Sequence, residues 1–420
     1  MAKPEIRLKR FEGEWERDSF ANTFRFLKNN SLSRADLNYE DGKVRNVHYG
    51  DVLIKFGELL DVSNSLLPYI ANKEIADKQD KENLLQNGDI VFADAAEDNT
   101  VGKCSEIQGL GLTDKVVSGL HTIPCRPIKN FENGYLGYFL NSNSYHDQLL
   151  PMIQGTKVCG ISKGNLSLTS ISYPNDKKEQ VALVDYFKSL DSMVQGVTKK
   201  IASLKQMKSA SLISMFPQKG ETKPRVRFKG FEGEWVKVTM GDIFVERHEI
   251  STITNELPQL SFTIEEGVIR PEDRKTNKRD FLIKDKSNKK YLVTYIDDII
   301  YNPANVIYGA IHKNSLCNGV VSPIYKIFYT EQDSSFMECI VRRPEFIQAM
   351  TVYMEGTVQK LKTLKPEAFL QMSAIIAPSV EEQRVIGRFF KSLDKQISLQ
   401  EQRLEKLKQI KASCLDKMFV

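Results

Sequence analysis

The sequence predicts an α+β protein of two pseudo-symmetric globular domains, separated by two long helices paired as an antiparallel coiled coil. Three observations lead there. First, PEIRLKRFEGEWE from Pro4 returns as PRVRFKGFEGEWV from Pro224, and the two FEGEW blocks hold both tryptophans, Trp15 and Trp235. Second, KEQVALVDYFKSLD (Lys178–Asp191) matches EEQRVIGRFFKSLD (Glu381–Asp394) at an offset of 203. That offset also carries LKQMK (Leu204–Lys208) onto LKQIK (Leu407–Lys411) and Met215-Phe216 onto Met418-Phe419. Third, the intervening segments alternate short apolar runs with Asn, Gly, Asp and Ser clusters, the mark of short strands mixed with a few helices. Matched ends around unlike middles describe a tandem duplication.

The helices follow from spacing. Leu183, Phe187, Leu190, Val194, Val197, Ile201 and Leu204 recur in alternating steps of four and three, the seam of a coiled coil. Ile386, Phe390, Leu393, Ile397, Leu404 and Leu407 repeat it, with Gln400 interrupting one position. Pro217 and Gly220 stop the first helix. About 37 residues at ~1.5 Å each make a rod of roughly 55 Å. A rod with one apolar stripe needs a partner, and its own copy is the nearest. The expected domains are residues 1–177, a first helix 178–216, a linker 217–223, a second domain 224–380 and a second helix 381–420. Residues 17–177 and 237–380 share only short echoes, such as GDIVFADA (Gly88–Ala95) beside DDIIYNPA (Asp297–Ala304).

A length of 420 residues, 41% hydrophobic and 27% charged, supplies two ordinary cores. The N-terminal stretch lacks an apolar signal region, and no run nears the ~18 apolar residues that a membrane span needs. The six cysteines are scattered without a C-x-x-C pair, which suits a reducing cytoplasm. A net charge of +5 permits nucleic-acid binding without arguing for it. Its distribution says more: Arg270, Arg274, Lys275, Lys278, Arg279, Lys284, Lys286, Lys289 and Lys290 crowd one stretch, a composition suited to a phosphate-binding edge or a solvated loop.

Catalytic signals are weak. There is no G-x-x-x-x-G-K-[ST] phosphate loop, and GLGLTD (Gly109–Asp114) lacks the third glycine of a dinucleotide turn. His48, His121, His146, His248 and His312 fit no metal spacing. Asn302-Pro303-Ala304-Asn305 lacks the second proline and the aromatic of an amino-methyltransferase tetrapeptide. Asp273 and Lys275 form an acid-x-Lys pair of the nuclease type, but no second acidic ligand can be assigned. The chain reads as a binder.

A duplicated frame around two divergent middles resembles the specificity subunit of a type I restriction–modification system. The matching residues are the FEGEW starts, the Glu179-Gln180 and Glu382-Gln383 helix openings, and the FKSLD and LKQ[MI]K segments. Gly-Thr steps with basic residues before each helix, GTKVCGISKGNLS from Gly155 and GTVQKLKTLKPEAF from Gly356, add to it. Lys178 departs from the pattern by replacing an acid. The resemblance implies that each middle is a target-recognition domain reading one half of a split sequence in double-stranded DNA. It implies that the paired helices are a spacer that docks two methyltransferase subunits, and that translocase–nuclease (restriction) subunits join for cleavage. S-adenosylmethionine, ATP and magnesium would then belong to those partners, leaving this chain non-catalytic, without a cofactor, and in a bacterial or archaeal cytoplasm.

On that reading the DNA-contacting residues expected in the first domain are Lys28, Asn29, Ser31, Ser33, Arg34, His48, Tyr49, Thr156, Lys157 and Lys163. In the second they are Arg270, Arg274, Lys275, Lys278, Arg279, Thr357, Lys360 and Lys362. Mostly phosphate-directed lysine, arginine and serine, with a few side chains on base edges, is the usual balance. The rival readings are a stand-alone nuclease or DNA methyltransferase using residues 270–305, and a coiled-coil scaffold that does not bind DNA.

Overall fold

The computed structural model describes residues 3–274, 289–355 and 362–420. It is a mixed α+β structure that divides into two units, Met1–Thr198 with Gln402–Val420, and Lys199–Glu401.

In the first unit a five-stranded sheet is built from β1 (Phe24–Phe26), β2 (Leu59–Asp61), β3 (Ile90–Ala93), β4 (Cys104–Gln108) and β5 (Thr122–Pro127), in the order β1-β5-β3-β4-β2. All pairs are antiparallel except β4 with β2. The central strand β3, Ile-Val-Phe-Ala, is buried throughout, as a strand covered on both faces must be. The second unit repeats the plan with β6 (Val245–Glu246), β7 (Ile299–Tyr301), β8 (Ile311–Lys313) and β9 (Lys326–Tyr329), in the order β6-β9-β7-β8. The middles barely align in sequence, yet their central sheets share one strand order. Only the parallel edge strand β2 lacks a counterpart in that sheet.

A second shared element ties each unit's first strand to its last. Glu16–Ser19 pairs with Ser170–Tyr173, and Val236–Thr239 pairs with Ser373–Ile376 in the same register. Short helices α1 (Tyr135–Leu140) and α3 (Ser334–Val341) pack their apolar faces into the two cores. The first turn of α1 donates Gly134 and Gly137 N–H groups to the buried Glu106 carboxylate, at 2.5 and 2.8 Å. Asp333 caps α3 by accepting from Phe336 N at 2.8 Å.

The long helices are α2 (Lys177–Ser214) and α4 (Val380–Lys417). Their seam residues are buried or half-buried along the full length. Each unit holds parts of both helices. In the first, Lys411 donates to Asp191 at 2.5 Å and Tyr186 lies 3.2 Å from Cys414 Sγ, so these segments run in opposite directions. In the second, Lys208–Asp394 at 2.5 Å and Lys205–Glu401 at 2.7 Å show the same sense. Phe419 packs 6.3 Å from Trp15 and 5.5 Å from Phe187, while Phe216 packs 5.6 Å from Trp235 and 5.8 Å from Phe390.

The repeated motifs are the lock of this frame. Arg7 holds the buried Glu179 carboxylate with two bonds of 2.8 and 2.7 Å and donates a third to Gly13 O. Arg227 does the same to Glu382 at 2.7 and 2.7 Å and to Gly233 O. Gly13 and Gly233 sit at φ +87° and +84°, the left-handed region that explains the glycine of FEGEW. The following glutamines act as bridges: Gln180 donates to Pro174 O and accepts from Glu132 N, and Gln383 donates to Ala377 O and accepts from Asp333 N. Arg-carboxylate forks are the strong, directional form of such pairs.

Candidate nucleic-acid interface

The residues expected at the interface of the first unit fall at one end of its sheet. The chain leaves β1 into the polar loop 28–33, where Lys28, Asn29 and Ser31 are exposed. Backbone bonds fix this loop: Lys28 N to Asn83 Oδ1 at 3.0 Å and Asn30 N to Ser118 O at 2.9 Å. The Asn29 amide donates to Gly119 O at 3.3 Å. Gly119 must be glycine here, because a Cβ would stand 2.1 Å from Asn46 Oδ1 and 2.9 Å from Val47 O.

Ser33, Arg34 and His48 serve the scaffold. Ser33 Oγ is bound to Asp36 at 2.7 Å. Arg34 donates to the buried Asp51 at 2.7 Å and lies 3.3 Å from His48 Nδ1. His48 is buried, and burial followed by the Arg34 charge pushes its pKa down, so it stays neutral while Nδ1 accepts from Gly50 N at 3.2 Å. Tyr49 packs on His48 and turns an edge to His121 at 5.3 Å. Lys163 is exposed, with its ammonium 3.3 Å from Leu27 O and over the Phe26 ring.

Thr156 and Lys157 are exposed on a tight turn at Gly155, whose φ of +103° and close approach to Val158 O exclude a side chain. The base of the turn is anchored beside β3: Cys159-Gly160 pairs with Ala96-Ala95, and Ile161 N donates to Asp94 O at 3.0 Å.

Between these segments lies a cleft of about 570 Å³ lined by Asn29, Asn30, Ser31, Ile75, Asp94 and His121, among others. Asn29 and Ser31 are among the residues expected from the sequence to contact DNA; Asp94 and His121, which β3 and β5 deliver from opposite strand ends, are not. Asp94 N donates to His121 O at 3.1 Å, and His121 Nδ1 is 3.2 Å from Asp94 Oδ1. Burial raises the Asp94 pKa, opposed by the His121 charge. His121 has φ +53°, a conformation that costs a non-glycine residue about 1 kcal/mol or more. Its side chain is 51% exposed.

In the second unit Arg270 is exposed at the start of a single helical turn, Pro271–Asp273, and Arg274 follows it half-buried. Lys362 is exposed beside the bridge between Glu355 and Thr363. Lys275, Lys278, Arg279, Thr357 and Lys360 lie outside the described residues. The tetrapeptide at Asn302 is a turn, with Ala304 N on Asn302 Oδ1 at 3.1 Å and Asn302 N on Ala310 O at 2.9 Å. Among the described residues no group of three His, Cys, Asp or Glu could hold a metal, and no helix is long and apolar enough to cross a membrane.

What the arrangement offers is two similar sheets whose loop ends carry different polar side chains on a common scaffold. No protein-family model and no curated protein matches the chain. Solved structures do. The S subunit of a type I restriction–modification system from M. genitalium superposes with a TM-score of 0.60 at 14% identity, covering 100% of this chain and 99% of that one. A chain from a structure of type I restriction–modification complex assembly and conformational transition gives a TM-score of 0.51 at 12% identity, covering 98% and 99%. From end to end, this chain has the fold of a type I restriction–modification S subunit.

Proposed function

We propose that this chain is the sequence-specific DNA-binding subunit of a type I restriction–modification system. Each unit reads one half of a bipartite target in double-stranded DNA. The long helices pair antiparallel along their whole length and set the spacing between the halves. Two methyltransferase subunits dock on this frame, and restriction–translocase subunits join them. The chain itself is non-catalytic; S-adenosylmethionine, ATP and magnesium are bound by the partners, and the assembly works in the cytoplasm.

The observation that carries this reading is one frame used twice with different contents. Arg7–Glu179 and Arg227–Glu382, the bridging glutamines and the strand order repeat, while the loops at the cleft do not. A symmetric frame suits two identical partners, and dissimilar loops suit two different half-sites. In this reading the exposed Lys28, Lys157, Lys163, Arg270 and Lys362 meet phosphates, and the exposed Asn29 and Ser31 with the half-buried Tyr49 meet base edges. The residues expected outside the described segments, Lys275, Lys278, Arg279, Thr357 and Lys360, extend the phosphate contact of the second unit.

A methylome map of the host with and without the gene tests this. The expected result is loss of one split, adenine-methylated motif, with exchange of residues 17–177 altering one half only. Cleavage or methylation by the chain alone would establish the enzymatic rival. Absence of any salt-dependent DNA binding would establish the scaffold.

A further inference from the structure

The two central sheets share one strand order, yet among the described residues the strand ends that meet at the cleft carry different chemistry in the two units. Ile90 pairs with Cys125 in one and Ile299 with Phe328 in the other. Four residues along each strand, Asp94 falls on Pro303 and His121 on Ile324. An independent bond supports that equivalence: Ile161 N donates to Asp94 O, and Leu364 N donates to Pro303 O, both at 3.0 Å. One backbone frame thus presents a carboxylate–imidazole pair in one unit, and a proline beside a 60%-exposed isoleucine in the other.

His121 is held there against its backbone preference. A non-glycine residue in the left-handed region persists only where its surroundings over-determine it, and such residues gather at binding sites. The ring is also aimed. Asp94 fixes Nδ1 at 3.2 Å and Tyr49 packs edge-on at 5.3 Å, while Nε2 has no protein partner among the described residues. The charged groups near it include Asp94, just past the end of β3, and, beyond Tyr49 and His48, Arg34 with Asp51. The Asp94 carboxylate can only accept, so the proton of this bond sits on Nδ1. The other ring nitrogen is left for a ligand.

Resting on the DNA-recognition reading above, we infer that His121, held by Asp94, is a further base-reading residue of the first unit. His121 Nε2 hydrogen-bonds a base edge in the major groove, where each base pair shows its own pattern of donors and acceptors. Asp94 is the positioning residue, and Ile324 gives the second unit an apolar contact at the same place in the frame.

The test is selection from randomised duplexes by the full chain bound to its methyltransferase subunits, as wild type, His121→Gly and Asp94→Ala. Wild type is expected to enrich a split motif. His121→Gly is expected to relax one position, by about tenfold in discrimination, in the half-site that exchange of residues 17–177 assigns to the first unit. Asp94→Ala should relax the same position less. Glycine relieves the left-handed strain, so its melting temperature should be unchanged or raised, which separates lost reading from lost folding. An unchanged motif, relaxation in both halves, or an equal loss of affinity for all sequences, the mark of a phosphate contact, overturns the assignment. Failure of wild type to enrich any motif overturns instead the function on which it rests.

Discussion

Arg7 grips Glu179 through the same two-pronged ion pair by which Arg227 grips Glu382. Both glutamates are 2% exposed or less, and both open a long helix. Removing one partner leaves a buried charge uncompensated, a loss of about 3–5 kcal/mol. Arg7→Ala is therefore expected to destabilise the first unit by that amount and Arg227→Ala the second. Adding Glu179→Ala to Arg7→Ala should recover part of the loss in urea denaturation. Strict additivity would show that the two side chains do not act as a pair.

Phe419 closes the aromatic core around Trp15, Tyr135 and Phe187, and Phe216 closes that around Trp235 and Phe336. Phe419→Ala should cost about 3–5 kcal/mol in the first unit, as expected for an emptied aromatic site. Hydrogen exchange should quicken there, at β3 and α1, while β7 keeps its protection. Phe216→Ala should give the reverse.

His312 is locked neutral. Its Nε2–H donates to Ile264 O at 2.7 Å, Arg342 donates to Nδ1 at 2.9 Å, and burial followed by the Arg342 charge pushes its pKa down to about 4. A depressed histidine pKa means that the unfolded chain binds the proton more readily between about pH 6.5 and 4. Stability is thus full above pH 6.5 and falls as the pH drops through that window, by about 3 kcal/mol in all. Denaturation midpoints of wild type and His312→Gln, compared from pH 7.5 to 4, should converge on acidification. A wild-type curve flat across this window sinks the assignment.

Lys28, Lys157 and Lys163 are exposed in the first unit. As phosphate contacts, each changed to alanine should weaken DNA binding about equally for all sequences and reduce the slope of log K against log salt by about one. A titration from 50 to 200 mM salt would measure it. A change of sequence preference from any of the three would assign that residue to bases.

The frame was legible in the sequence because its signals are local or periodic: the seam residues from Leu183 to Leu204, the stop at Pro217 and the repeated FEGEW. The reason for the Glu-Gln openings was not. The partner of Glu179 is Arg7, and nothing in the sequence couples two charges so distant along the chain. The shared strand order was hidden too, since a sheet constrains burial pattern and register and leaves side-chain identity free. The polarity of the loop was legible, but its internal bonds were not. Loop composition drew attention to Asn29 and Ser31, but also to Ser33, Arg34 and His48, whose polarity serves internal bonds. His121 looked isolated because its meeting with Asp94 is made by the pairing of Ala93 with Thr122.

The division of the chain has a consequence in time. The second unit is one continuous stretch, Lys199–Glu401, whereas the first also needs Gln402–Val420. A ribosome delivers roughly 5–20 residues per second. The first unit, although made first, stays unfinished for on the order of tens of seconds, with Trp15, Tyr135 and Phe187 waiting for Phe419. The unit translated second can close before the unit translated first, and a nascent chain stalled short of Cys414 exposes an open aromatic core that chaperones must shield.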